Sequence, residues 1–166
     1  MRARLGMVLV VAAVVVLGAC GNDSPAVNNN ASKTVQTTVA GAGAMTVTLK
    51  ADLTGGTTEV PAPGDPDGKG SATVKIDAAT GKVCYTITVQ NIAAPVASHI
   101  HEGAAGGAGP ILITFDPTKI GKGEDCLTGQ NTADLGRIAA NPSGFYVNVH
   151  TADFPGGAVR GQLAAG

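Results

Sequence analysis

From Met45 onward the chain alternates apolar and polar residues with a period of two, and this pattern limits its fold more than any other feature. Met45, Val47, Leu49, Ala51 and Leu53 alternate with Thr46, Thr48, Lys50 and Asp52. Ala72, Val74 and Ile76 alternate with Thr73, Lys75 and Asp77. After a turn at Asp77-Ala78-Ala79-Thr80-Gly81, the pattern resumes with Val83, Tyr85, Ile87 and Val89. Only an extended strand puts every second side chain on one face, so these segments read as half-buried strands, the last two paired as a hairpin. Cys84 falls on the opposite face, with Thr86 and Thr88, where a bridge would tie a loop over that face. Further strands are expected at 96–101, 110–115, 145–151 and 158–163, and one short helix at 132–140. About seven to eight short strands, with 24 Gly and 9 Pro for the turns, specify an all-β sandwich or barrel. No Trp and only 3 Phe are present, so the core must rest on Val, Ile and Leu.

Charge removes several function classes. Charged residues are 14% of the chain, far fewer than a coiled coil or a charge-rich disordered protein needs. Lys and Arg number 11 against 12 Asp and Glu, which leaves no basic excess for nucleic acid. No G-x-S-x-G elbow, Walker loop or H-E-x-x-H helix occurs. Asp65-Pro66-Asp67-Gly68 lacks the later Glu of a calcium loop and reads as a turn. No catalytic residues are assigned.

The beginning of the chain reads as an address. Arg2 and Arg4 precede an uncharged run over 5–19, shorter than the roughly 20 residues a membrane-spanning helix needs. Leu17-Gly18-Ala19-Cys20 resembles a bacterial lipobox, in which the cysteine becomes the lipid-modified first residue. The expected organisation is a lipoprotein signal peptide at 1–19, a lipidated Cys20 with a polar tether at 20–43, and one domain at 44–166. Loss of the signal removes both arginines, so 9 basic residues face 12 acidic ones. The expected location is extracytoplasmic, in the bacterial cell envelope, with the membrane engaged through Cys20. Export also permits a disulfide between Cys84 and Cys126, the alternative being two separate buried thiols.

The 3 histidines of the chain fall in two segments that echo each other. His99-Ile100-His101 is followed by Gly106-Gly107-Ala108, and Asn148-Val149-His150 by Gly156-Gly157-Ala158. On strands, His99 and His101 share a face, and His150 shares one with Asn148 and Tyr146. If the strands are neighbours, three imidazoles converge and could hold zinc or copper, with Glu59, Glu102 and Asp153 as further ligands or supporting groups. One ion would need the ring nitrogens within about 4 Å of one another. The competing reading is structural: histidines bonded to backbone carbonyls, and an ion pair between Arg160 and Glu59.

Ser98-His99-Ile100-His101-Glu102-Gly103, Gly109-Pro110-Ile111-Leu112, Gly144-Phe145-Tyr146-Val147-Asn148-Val149-His150-Thr151, Gly156-Gly157 and Arg160-Gly161-Gln162-Leu163 together closely resemble the CHRD (chordin) domain. Thr58-Glu59-Val60-Pro61 resembles its early E-V-P motif, and the resemblance extends over about 46–163. It implies a Greek-key or immunoglobulin-like β-sandwich. In animals the domain occurs in chordin, an extracellular antagonist of growth factors; in bacteria it occurs as secreted or anchored single domains of unknown activity. No catalysis comes with the family, and the expected role is non-enzymatic binding of an extracytoplasmic protein or ligand, or structural support. Ala158 departs from the pattern, standing where the family commonly has an acidic residue. His99-Ile100-His101-Glu102 is also similar to the H-V-H-E segment of copper/zinc superoxide dismutases. This chain has too few histidines for their two-metal centre, so that likeness allows only a mononuclear copper or zinc site. Glu59, Glu102, Asn148, Tyr146 and Arg160 are the expected surroundings of such a site.

Overall fold

A computed structural model of the protein describes residues 46–166. The expected signal peptide 1–19, the expected lipidation site Cys20 and tether 20–43, and Met45 lie outside the described residues. Among the described residues the strands are β1 (Thr46–Thr54), β2 (Lys69–Asp77), β3 (Lys82–Gln90), β4 (Pro95–Glu102), β5 (Ile111–Phe115), β6 (Asp125–Leu127), β7 (Phe145–Thr151), β8 (Val159–Gln162) and β9 (Ala164–Ala165). One helix, α1 (Thr132–Ala140), lies between β6 and β7. The fold is all-β, as the alternation requires.

The strands form one antiparallel path, β5-β4-β7-β8-β1-β2-β3-β6, with β9 against β1. Its middle joint is thin. A single facing pair, Thr54 with Arg160, connects β1 to β8. The path therefore divides into two four-stranded halves that share one hinge, which is how one sheet yields a sandwich-like fold. The far ends meet through side chains. Tyr85 of β3 and Phe115 of β5 bring their ring centroids to 4.3 Å. The Tyr85 hydroxyl donates to Asp125 Oδ2 (3.0 Å) and accepts from the Asp116 amide (3.2 Å). Leu49, Leu53, Val74, Ile76, Val83, Ile87, Ile100, Val147, Val149 and Leu163 fill the space between the halves, each at most 1% exposed.

The expected helix forms because Asn131 caps it, its side chain accepting from the Ala133 and Asp134 amides, while Leu135 and Ile138 sink into the core. Cys84 and Cys126 are bonded to each other. The bridge differs from the expected geometry in one respect. The two cysteines face each other on β3 and β6, so the bond staples neighbouring strands. At three residues, β6 has no legible alternation; pairing with β3 makes it a strand. Among the described residues no helix is long and apolar enough to cross a membrane.

Candidate functional site

In most strands the alternation puts one face in the core and the other in water. β7 is different: six of its seven residues, Phe145 to Val149 and Thr151, are buried on both faces, and only His150 is partly exposed. Its core side carries Phe145, Val147 and Val149; its outward side carries Tyr146, Asn148 and His150. Pairing with β4 sets His99 opposite Asn148 and His101 opposite Tyr146, with His150 opposite Ala97. Pairing with β8 adds Arg160 opposite Asn148. A polar layer thus lies on the outer surface of β4, β7 and β8, covered by the 103–110 loop, the 152–158 turn and the segment containing Glu59.

All three imidazoles come together there. His99 Nδ1 lies 3.2 Å from His150 Nε2. Ring centroids are 5.0 Å apart for His99 and His150, 5.4 Å for His99 and His101, and 6.5 Å for His101 and His150. One nitrogen from each lies within 4.8 Å of the other two, slightly beyond the separation expected for a single bound ion. Backbone carbonyls hold two of the rings: His101 Nδ1 is 2.8 Å from Gly109 O, and His150 Nδ1 is 3.0 Å from Pro155 O. His101 Nε2 is buried and has no hydrogen-bond partner. Burial, and then the neighbouring imidazoles, push His99 down to about 4; burial first, and then His101, also lowers His150. Both rings are therefore neutral at pH 7.

Next to the histidines is a buried cation on an aromatic face. His101 stacks on Tyr146 at 4.9 Å and 4°, and the Arg160 guanidinium lies 3.4 Å from the centre of the same Tyr146 ring. Arg160, 3% exposed, donates to Gly107 O (3.0 Å) and to Gln162 Oε1 (3.3 Å). Glu59 is also 3% exposed, and its Oε1 has no partner. Burial pushes its carboxyl up to about 7, against a smaller opposing pull from Arg160. The expected Glu59–Arg160 ion pair is not made: no nitrogen–oxygen contact within 4.0 Å joins them. The two interact at longer range, and Arg160 spends its donors on the loop. Gly157, with φ +138°, lies against the Glu59 carboxylate, and a Cβ there would come within 2.5 Å of it.

These residues fall in the segments that carry the family motif, and the chain matches the CHRD domain family over residues 49–163. The protein belongs to the CHRD domain family. No curated protein and no solved structure matches it.

Within this CHRD domain, the residues expected around the histidines separate into three groups. Tyr146, Asn148 and Arg160 sit in the polar layer, and the Asn148 side-chain oxygen is buried without a partner. Glu59 lies against Gly157 of the covering turn. Glu102 lies outside the layer. Next to His101 on a strand, it faces the other way and pairs with Arg137 of α1 at 2.7 Å. Asp153 is exposed in the 152–158 turn. Ala158, where the family commonly has an acid, is fully buried, and its carbonyl accepts from the Asp65 amide (2.9 Å). One residue that the site reasoning passed over is Gln162, whose side-chain nitrogen donates to Gly103 O (2.7 Å) and Ser143 O (2.8 Å) while its oxygen accepts from Arg160. It fixes the start of the loop over the histidines. The signal was present, since Gln162 lies two residues from Arg160 on one strand face.

Proposed function

We propose that the protein is a lipid-anchored, extracytoplasmic CHRD domain that acts by binding and performs no catalysis. The disulfide between Cys84 and Cys126 carries this reading. Structural disulfides persist outside the reducing cytosol. With those two cysteines joined, Cys20 is the one left over, and it closes the uncharged run 5–19 in a lipobox-like sequence. A tether at 20–43 would hold the domain off the membrane. The binding face in this reading is the outer side of β4, β7 and β8, where loops meet buried polar groups above a rigid sheet.

The test is the intact mass of the protein from a bacterial envelope fraction. The expected species begins at Cys20 and carries acyl chains, and Cys20→Ser leaves the detergent phase or accumulates as the uncleaved precursor. A mature chain that starts elsewhere, or an unmodified Cys20, overturns the assignment.

A further inference from the structure

We propose that His99, His101 and His150 form a three-imidazole site for one divalent copper or zinc ion. The inference rests on reading the outer side of β4 and β7 as the binding face. Three strand positions from two segments of the chain place one nitrogen of each ring within 4.8 Å of the others. Metal–nitrogen bonds of about 2.0–2.1 Å cannot span more than about 4.2 Å between ligands, so the cluster must close by less than about 1 Å. His99 is partly exposed and can turn toward the other two, while Gly109 O and Pro155 O hold His101 and His150.

The hydrogen bonds favour metal ligation. A carbonyl oxygen can only accept, so Gly109 O and Pro155 O require protons on Nδ1 of His101 and His150. That leaves Nε2 of each ring as the nitrogen that can act as a ligand. A carbonyl on the distal N–H that presents the other nitrogen as a ligand is the usual support of a metal-bound histidine. His150 Nε2 receives a hydrogen bond from His99 Nδ1. His101 Nε2 receives none, although it is buried. A purely structural histidine cluster gives no reason for that bare lone pair; a cation gives one. On binding, His99 moves its proton from Nδ1 to Nε2, so Nδ1 becomes the third ligand and no net proton is released.

The donor set selects the ion. Three neutral imidazoles without a carboxylate suit copper and zinc, and disfavour calcium and magnesium, which need oxygen ligands. The same ordering puts copper(II) above zinc(II). Glu102 cannot join because it pairs with Arg137. The second cluster of metal-ligand residue types, Cys84, Glu124 and Cys126, is unavailable because its sulfurs are bonded to each other and Glu124 pairs with Lys75.

The test uses full-length, tag-free protein in detergent, titrated at pH 7 with copper(II) sulfate or zinc chloride and analysed for bound metal after dialysis. One equivalent is expected, with nitrogen couplings in the copper electron paramagnetic resonance spectrum. His99→Ala and His150→Ala should each weaken binding by at least about tenfold. Wild-type protein asks the same question without substitution: zinc must shift the ring-nitrogen resonances of all three histidines. Less than about a tenth of an equivalent of either metal, wild-type affinity in both variants, or any unshifted histidine overturns the site. The mass of Cys20 is read separately, so a failed metal site and a failed anchor are distinguishable.

Discussion

The two halves of the sheet use the same period-two pattern for different ends. In β1, β2 and β3 the outward residues include Lys50, Asp52, Ser71, Lys75 and Thr88, all exposed, and what they touch is mainly water. In β4, β7 and β8 the outward residues include His101, Tyr146, Asn148 and Arg160, all buried, beside the partly buried His99, His150 and Gln162. Both inner faces are mainly aliphatic core, with Tyr85, Phe115 and Phe145 among them. The chemistry of the molecule is therefore concentrated where loops cover a sheet's second face. That cover removes water from polar groups and leaves three of their atoms, on Glu59, His101 and Asn148, without partners.

If the exposed half depends on its edge staple, replacing Cys84 and Cys126 with Ser should have the largest effect. The bridge closes a separation of 42 residues, and its loss should cost roughly 4 kcal/mol through the loop entropy it removes from the unfolded chain. Urea denaturation measures this, and a loss below about 1 kcal/mol would mean that β6 is held by β3 pairing alone. The next test compares outward faces directly. Arg160→Ala removes a buried cation, its contact with Tyr146 and a bond to Gly107, and should cost about 3 kcal/mol. Lys75→Ala breaks an exposed pair with Glu124 and should cost about 0.5 kcal/mol or less. Equal losses would erase the distinction between the halves.

The last contrast lies in the pH dependence, where the covered face holds groups that pull in opposite directions. Glu59 is raised from 4.5 to about 7, so the folded protein binds its proton more tightly than the unfolded chain does. Its contribution is complete below pH 4.5 and is lost as pH rises through about 7. His99 and His150 are lowered from 6.5, His99 to about 4, so stability is lost as pH falls below 6.5. Glu59→Gln should remove the first slope and keep the second. Its melting temperature should rise with pH up to about 6.5 and then level off. A wild-type profile identical to that of the variant would show that Glu59 does not titrate in this window.

Much of the candidate site was legible, but not for one reason. The strand assignment of His99, His101 and His150 followed from alternation, and so did the shared face of Tyr146, Asn148 and His150. The same rule already excluded Glu102, which stands next to His101 and must face away from it; charge type alone had placed it with the histidines. Their convergence was not legible, because it depends on β4 pairing with β7 across about 50 residues and on the register that sets His99 opposite Asn148.

The sequence by itself determined most of the strands, the turns and the short helix at 132–140, because periodicity and glycine signals act between residues a few positions apart. It also determined which cysteines could pair and which family the domain belongs to. Tertiary structure decided the remaining features. It made a strand of Asp125–Leu127, joined the two halves at Thr54 and Arg160, and kept Arg160 out of contact with Glu59. It also buried the outward face of β7 under loops. Each of these depends on groups far apart in the chain excluding water from one another, and no local pattern encodes that exclusion.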